Sequence, residues 1–333
     1  MLSGQTQRLP QRKTPKVLHE GADEAAVGRT STARRRWPVS LFLLACSGLA
    51  LGAPGDTAEV TYRANVTEVR LTFSATDQNN HGVATLQAVD FAVVDRDIVV
   101  RDFQSFTRTG WTKLQVVVLI DTSESVAPRL RQEITDTLRV ISPDAGIPEE
   151  DLSLVSFHGI EPSLICAGNC RASRALDELP AVEAGGLTPL FDSVVFAAAL
   201  LAQPGDSETR KVLILFSDGE DTISRHSAAD ATAAALASEL RIYAVGLKNA
   251  ADPSPGTAIL RNLAGATGGR FFAAREGTSK VLDAVLEDAH ATFTVTYKLP
   301  SRAAGFHPVR ILPTHDANLQ FRCRRGYYYT RGR

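Results

Sequence analysis

The stretch from Leu114 to Ser125, LQVVVLIDTSES, joins an uninterrupted apolar run to alternating oxygen-bearing side chains. Five apolar residues, Val116 to Ile120, precede Asp121, Ser123 and Ser125. An apolar run of this kind indicates a strand buried on both faces, as in a parallel sheet covered by helices. We therefore expect the polar side chains at the carboxyl end of a buried strand, where open α/β sheets bind their ligands.

Residues 113–292 alternate strand patterns with amphipathic helix patterns. Repeated β-then-α order predicts a doubly wound, mainly parallel sheet covered by helices, an α/β fold. The predicted strands are Leu114–Ile120, Leu152–Phe157, Val212–Ser217, Ile242–Gly246 and Arg270–Ala273. The predicted helices are Pro128–Ile141, Leu190–Leu201, Ser227–Leu240, Thr257–Leu263 and Ser279–Ala291.

The two segments that flank this region have β patterns instead. Alternation runs from Val60 to Phe106, and after Thr292 three short β runs end in Tyr327 to Tyr329, which we interpret as edge-strand packing. Neither flank is long enough to form a stable core alone, so we expect the two to pair into one small sheet or sandwich. The predicted divisions are a basic head and signal segment at 1–54, a β-rich segment at 55–112, the α/β domain at 113–292 and a C-terminal β segment at 293–333.

Charge is distributed unevenly along the chain, although the whole sequence has a net charge of −1. Residues 1–36 carry eight Lys or Arg and three Asp or Glu, which leaves 28 basic and 34 acidic residues in the remainder. A mildly acidic body lacks the basic surface that nucleic acids require. We therefore exclude nucleic acid as a partner.

An uncharged apolar segment, Trp37 to Leu51, follows three consecutive arginines. This order is typical of a secretory signal, and the apolar run is short for a membrane span. We predict export to the periplasm, the cell envelope or the medium, with membrane contact only through this leader or a lipid anchor. Two processing routes remain open: cleavage after Gly52 or Ala53, or lipidation of Cys46, because Leu43 to Cys46 resembles the lipobox of bacterial lipoproteins.

The remaining cysteines have a simple interpretation in an exported protein. Cys166 and Cys170 close the short segment ICAGNC, which favours a local disulfide. A zinc pair is disfavoured because the chain has no second Cys or His pair at zinc spacing. If Cys46 is cleaved off or lipidated, Cys323 has no partner and is expected to be a buried thiol.

Two further segments bring oxygen atoms to the same edge of the predicted sheet. Gly185 to Thr188 precedes a predicted helix, and the strand Val212–Ser217 is followed by Asp218. One ion with five contributing side chains is therefore the predicted site: Asp121, Ser123, Ser125, Thr188 and Asp218. Hydroxyl and carboxylate oxygens suit a hard divalent cation, Mg²⁺ or alternatively Mn²⁺ or Ca²⁺.

The three motifs also carry a family resemblance. DTSES at Asp121, the Gly-Gly-Leu-Thr segment ending at Thr188 and LILFSDGED around Asp218 resemble the metal-ion-dependent adhesion site of the von Willebrand factor type A domain. The resemblance covers about residues 113–292, and three motifs in the right order make it specific. Together with LAGATGG at 263–269 and the closing RRGYYY, the chain resembles a bacterial class of exported von Willebrand factor A-related proteins of unknown function.

The resemblance implies a role for each site residue. The hydroxyls of Ser123, Ser125 and Thr188 would bind the ion directly, and the two aspartates would hold it through water. A protein ligand would complete the coordination with an acidic side chain. Glu124 departs from the family pattern, which commonly has a small Gly there, and adds negative charge beside the site.

The same polar residues also have structural alternatives to metal binding, as helix caps, turn residues or loop residues. Ser123 and Ser125 could cap a helix, and Asp218 to Asp221 could be an ordinary acidic turn before a helix. We expect Asp192 to order a local loop. We expect His158 and His226 to be exposed loop residues.

The expected function is a non-enzymatic, exported, cation-dependent module for adhesion or scaffolding through protein binding. A structural or assembly component of the envelope that does not need the metal is the alternative. A metal-dependent hydrolase ranks third, because Ser123 lacks the Gly-x-Ser-x-Gly elbow and the chain contains neither a Walker phosphate loop nor a Gly-x-Gly-x-x-Gly fingerprint.

Overall fold

The structure, a computed structural model, describes residues 68–330 apart from 80, 84, 110–112, 175–176, 178, 203–208, 248–253, 274–275 and 291. The described residues belong to one compact unit. The predicted signal segment and Cys46 lie outside them, as does the β pattern predicted before Glu68. None of the helices in the described ranges has the length and apolar character needed to cross a membrane.

A six-stranded sheet occupies the centre of the α/β region, in the order β10-β9-β8-β5-β6-β7. All neighbouring pairs are parallel except β6 and β7, which form an antiparallel hairpin. Its strands are β5 (Leu114–Asp121), β6 (Leu152–His158), β7 (Glu161–Ala167), β8 (Arg210–Ser217), β9 (Leu240–Gly246) and β10 (Phe271–Ala273). The predicted α/β class with a mainly parallel sheet is confirmed.

Helices cover both faces of this sheet. Those in the described ranges are α1 (Leu130–Ile141), α2 (Leu190–Leu200), α3 (Ala228–Ala237), α4 (Pro255–Thr267) and α5 (Thr278–His290). Val116 and Val118 of β5 belong to the core that contains α1 and α5, whereas Val117 and Leu119 belong to the core that contains α2, α3 and α4. Alternate residues of β5 thus point to opposite faces, which explains why the whole run is apolar.

The flanking segments form two four-stranded antiparallel sheets, in the orders β13-β1-β11-β4 and β14-β12-β2-β3. These strands are β1 (Glu68–Thr76), β2 (Phe91–Asp95), β3 (Ile98–Val100), β4 (Ser105–Thr109), β11 (Thr292–Lys298), β12 (Gly305–Pro313), β13 (Gln320–Cys323) and β14 (Gly326–Tyr329). Phe73 of one sheet lies 5.0 Å from Phe91 of the other, between ring centroids. N-terminal and C-terminal strands therefore pair in both sheets and enclose a common aromatic core.

Two predicted helices differ from the structure in length. The helix predicted over Ser227–Leu240 ends at Ala237, because Glu239 adopts a left-handed φ of 57° and the next residue begins β9. The helix predicted over Thr257–Leu263 is longer, because Ser254 Oγ accepts a hydrogen bond from Thr257 N and caps a helix that continues to Thr267.

Strand β7 was not predicted at all. It is an edge strand with mostly exposed side chains and contains Pro162, so its sequence lacks both the apolar run and the regular alternation of a buried strand. The predicted disulfide is present, and it joins Cys166 on β7 to Cys170.

Candidate metal site

Asp121 is the last residue of β5 and its side chain is fully buried. Its Oδ1 atom accepts hydrogen bonds from the backbone N (3.0 Å) and the Oγ (2.6 Å) of Ser123. Its Oδ2 atom accepts a hydrogen bond from Ser217 Oγ at 2.7 Å. The carboxylate therefore joins the end of β5 to the end of β8, the neighbouring strand.

The two serine hydroxyls of the first motif lie next to each other. Ser123 Oγ is 3.1 Å from Ser125 Oγ. Ser123 is buried, whereas Ser125 is exposed to solvent. Ser123 precedes a short 3-10 turn at Glu124–Val126, but its side chain makes no capping hydrogen bond there, because its hydroxyl donates to Asp121 instead.

Backbone hydrogen bonds attach the second motif to the first. Gly185 N donates to Thr122 O at 3.0 Å, and Glu124 N donates to Gly186 O at 3.2 Å. Gly186 has a φ of 75°, a left-handed conformation that glycine adopts without steric cost. This turn places Thr188, which is almost completely buried, two residues before the start of α2.

The third motif contacts the second through Thr222. Thr188 N donates to Thr222 Oγ1 at 2.7 Å, and Thr222 N donates back to Thr188 O at 2.9 Å. Asp218, buried at the end of β8, accepts a hydrogen bond from Glu220 N at 3.0 Å. Three loops distant in sequence are thus linked at the carboxyl edge of the sheet, with Thr188 in the central loop.

The electrostatics of this edge are dominated by buried acidic groups. Burial, and to a smaller extent the nearby charge of Asp218, raises the pKa of Asp121 to about 6. Glu133 of α1 is fully buried behind the first motif, and its Oε1 accepts a hydrogen bond from Asp121 N at 2.9 Å. Burial followed by the charge of Asp121 raises the pKa of Glu133. Negative charge at this edge is therefore unfavourable unless a cation balances it.

The donor set fits a hard divalent ion. In the described part of the chain, no three His, Cys, Asp or Glu side chains form a metal-ligand group. Adjacent serine hydroxyls, a buried threonine and two buried carboxylates supply oxygen atoms of the kind that Mg²⁺ and Mn²⁺ take. The residues that would hold the ion are Ser123, Ser125, Thr188, Asp121 and Asp218.

Two residues that support the site were missed by the sequence reasoning. Ser217 lies one residue before Asp218, at the end of a predicted strand. A hydroxyl in that position indicates a residue that can contact the site. Glu133 lies on a helix in a polar stretch and gives no such signal, because only its burial reveals the contact with Asp121.

Three other polar residues near this edge of the sheet, Asp192, His158 and His226, make contacts with loops and strand ends. Asp192 Oδ1 accepts hydrogen bonds from the backbone N atoms of Arg225 (3.1 Å) and His226 (2.9 Å), which orders the loop before α3. His226 is exposed. His158 is also exposed, but it ends strand β6, and its Nδ1 lies 2.8 Å from Thr122 Oγ1.

The fold and the linked loops define an α/β protein with a polar site at the carboxyl edge of its sheet. The family model for the von Willebrand factor type A domain matches residues 115–287, and the chain belongs to this family. Domains of this family are modules for adhesion or protein interaction, commonly bind a divalent cation and are typically extracellular. No curated protein matches the chain.

The solved structures that match this chain share little sequence with it. An aerotolerance-related membrane protein from Bacteroides fragilis is 16% identical, with a TM-score of 0.40 over 53% of this chain and 98% of its own. A von Willebrand factor type A protein from Catenulispora acidiphila is 13% identical, with a TM-score of 0.43 over 81% and 76%. The manganese-loaded TRAP protein of Plasmodium vivax is 13% identical, with a TM-score of 0.41 over 70% and 97%.

Proposed function

We propose that this chain is an exported, non-enzymatic module that binds a protein ligand through a divalent cation at the carboxyl edge of its central sheet. The ligand presents an acidic side chain to the cation. The observation that carries this proposal is the linkage of three separate loops around the Asp121 carboxylate, with the Ser123 and Ser125 hydroxyls 3.1 Å apart.

Each residue has a distinct task in this proposal. The bound ion supplies the positive charge that attracts a carboxylate of the ligand. Ser123, Ser125 and Thr188 offer neutral hydroxyl oxygens, so the ion keeps net positive charge for the acidic partner. Asp121 orients the Ser123 hydroxyl through its 2.6 Å hydrogen bond. Asp218 adds a second buried carboxylate directly after the neighbouring strand β8.

Calorimetric titration with Mg²⁺, Mn²⁺ and Ca²⁺ tests the metal site. We expect Asp121→Ala to weaken cation binding by about 10- to 100-fold, because replacing a residue that orients a metal ligand typically has an effect of this size. Asp102→Asn is the matched control, because Asp102 is an exposed carboxylate in the loop between β3 and β4. Equal affinities in the wild type and Asp121→Ala would rule out the metal assignment.

The exposed side chain of Glu124 allows a separate test of the ligand's charge. A pull-down from envelope extract, performed with Mg²⁺ or with a chelator, identifies a cation-dependent partner. Glu124→Gln removes a negative charge beside the site, so we expect an acidic partner to be retained more strongly. A partner that is retained in the chelator, and by Ser123→Ala, would instead support the metal-independent structural role.

A further inference from the structure

A cavity of about 80 Å³ opens at the opposite edge of the central sheet, where β5, β8 and β9 begin. The length of β5 separates it from the metal site by roughly 20 Å, at about 3.3 Å per residue. Strand β1 of the flanking sheets contributes Arg70 and Thr72 to its lining. We call this cavity the basal pocket. Its cationic lining residues are Arg70, Arg210, Lys211, Arg241 and Arg324.

The two acidic residues that line the basal pocket already have cationic partners. Asp288 accepts hydrogen bonds from Tyr243 Oη (2.9 Å), Arg270 (3.1 Å) and Arg322 (2.6 Å). Arg270 and Arg322 are additional to the five cationic residues of the lining. The carboxylate of Asp288 is therefore shared among several donors and cannot neutralise the pocket.

Glu239, the second acidic residue, lies at the rim. Its Oε1 atom is 3.2 Å from Arg324 Nη1, and its side chain is 65% exposed. An ion pair with this much exposure is screened by water and contributes little stabilisation. The positive charge of the basal pocket thus exceeds the negative charge that the described residues bring to it.

Arg210 gives the clearest sign of missing negative charge. Its buried Nε has no hydrogen-bond partner among the described residues, and the same is true of Arg324 Nε. Burial, followed by the positive charges of Arg241 and Arg70, lowers the pKa of Arg210 to about 10. Partly buried cations that repel one another are unfavourable unless an anion is shared among them.

We propose that the basal pocket binds a multivalent oxyanion of the phosphate or sulfate class, either the free ion or the same group on a larger molecule. Guanidinium groups present planar arrays of N–H donors that match the oxygens of such anions, and several of them converge here. A multivalent anion interacts with several cations at once, which a single carboxylate does less well. The site lies apart from the cation edge, so it is independent of the proposed function.

Calorimetry and thermal unfolding of the full chain test this proposal. The probes are inorganic phosphate, sulfate, O-phosphoserine and acetate, at constant ionic strength and with a chelator that keeps the metal site empty. We expect phosphate and sulfate to bind and to raise the melting temperature, and acetate to do neither. Tighter binding of O-phosphoserine than of inorganic phosphate would identify a group carried on a larger molecule, and the reverse would identify the free ion.

Arg210→Gln and Arg70→Gln are the test variants. We expect each to weaken phosphate binding by about 10-fold or more, the loss of one charge-assisted hydrogen bond. Arg210→Gln should also raise the melting temperature in phosphate-free buffer, because it removes a repelled cation, which a purely structural arginine would not do. Arg310→Gln, at an exposed position of β12, is the control and should bind phosphate like the wild type. Wild-type affinity in both test variants, or equal stabilisation by acetate and phosphate, would overturn the proposal.

Discussion

His307 Nδ1 lies 3.4 Å from Asp95 Oδ1, and both side chains are fully buried although the whole α/β domain separates them in sequence. The other carboxylate oxygen, Asp95 Oδ2, accepts hydrogen bonds from Tyr297 Oη (2.9 Å) and Tyr327 Oη (2.7 Å). These residues lie on β2, β12, β11 and β14. A single buried aspartate therefore joins strands from both flanking sheets and from both ends of the described chain.

Replacement of Asp95 by Asn should destabilise the protein strongly. The amide has only one oxygen that can accept a hydrogen bond, whereas the carboxylate accepts from both tyrosine hydroxyls and also faces His307. Buried polar groups that lose their partner in this way cost about 1–3 kcal/mol. Urea unfolding measures the loss. Asp97→Asn is the matched control in the same hairpin, because that side chain is 91% exposed, and we expect a change within about 0.5 kcal/mol. Similar small changes in both variants would show that the buried network adds no stability.

Glu133 supports the metal site through the backbone of Asp121, and two replacements separate its hydrogen bond from its charge. Glu133→Gln keeps an oxygen that can accept from Asp121 N, whereas Glu133→Leu leaves that buried N–H without an acceptor, at a cost of about 1–3 kcal/mol. Urea unfolding in a chelator compares the two. Equal stability of the Gln and Leu variants would contradict a role for this hydrogen bond.

The raised pKa of Glu133 also predicts a pH dependence with a definite sign. Above the ordinary value of 4.5 the unfolded chain loses this proton while the folded protein keeps it, so the unfolded state binds fewer protons. The free energy of unfolding of the metal-free protein should therefore fall as pH rises from 4.5 towards the folded pKa. Glu133→Gln removes this contribution, so its free energy of unfolding relative to that of the wild type should rise as the pH increases from 4.5 towards the folded pKa of Glu133. A constant difference across this range would contradict the shift.

The sequence predicted the central domain better than it predicted the supports of the site. A continuous apolar run, such as Val116 to Ile120, indicates a buried parallel strand. The predicted α/β fold with antiparallel flanking strands is confirmed. The exposed edge strand β7 has no such pattern. The contact between Glu133 and Asp121 depends on the position in which α1 packs on the sheet. The hydrophobic periodicity of the helix sequence does not determine that position. The five predicted metal-site residues stay a prediction until cation binding is measured.

Cys323 should be an unreactive thiol in the folded protein. Burial raises its pKa to about 11, so only about one molecule in a thousand carries the reactive thiolate at about pH 8. In a Cys46→Ser protein whose Cys166–Cys170 disulfide is intact, we expect negligible reaction with Ellman's reagent in buffer and reaction of one thiol in urea. Cys323→Ser should abolish the signal in urea. Rapid reaction of the folded protein would show that the thiol is accessible and ionised.

Gly219 follows Asp218 and fixes where that aspartate lies. It has a left-handed φ of 80°, and a Cβ atom there would lie 2.1 Å from the carbonyl oxygen of Gly256 at the start of α4. Gly219→Ala must therefore displace the backbone at Gly256 and also adopt a strained φ. We expect the free energy of unfolding to fall by more than about 2 kcal/mol, and we expect weaker Mn²⁺ binding. Gly146→Ala is the control, because Gly146 has a φ of 70° with nothing within 4 Å of its Cβ position.

In the control, Gly146→Ala, the free energy of unfolding should fall by only about 1–2 kcal/mol, the cost of a non-glycine residue in the left-handed conformation. This variant should bind Mn²⁺ like the wild type. Urea unfolding and calorimetry on the two variants distinguish general strain from displacement of the Asp218 loop. If both variants lose the same stability and both keep Mn²⁺ affinity, the contact between Gly219 and Gly256 does not position the site. If Gly219→Ala alone loses Mn²⁺, the close approach of the two glycine backbones is what holds Asp218 at the cation edge.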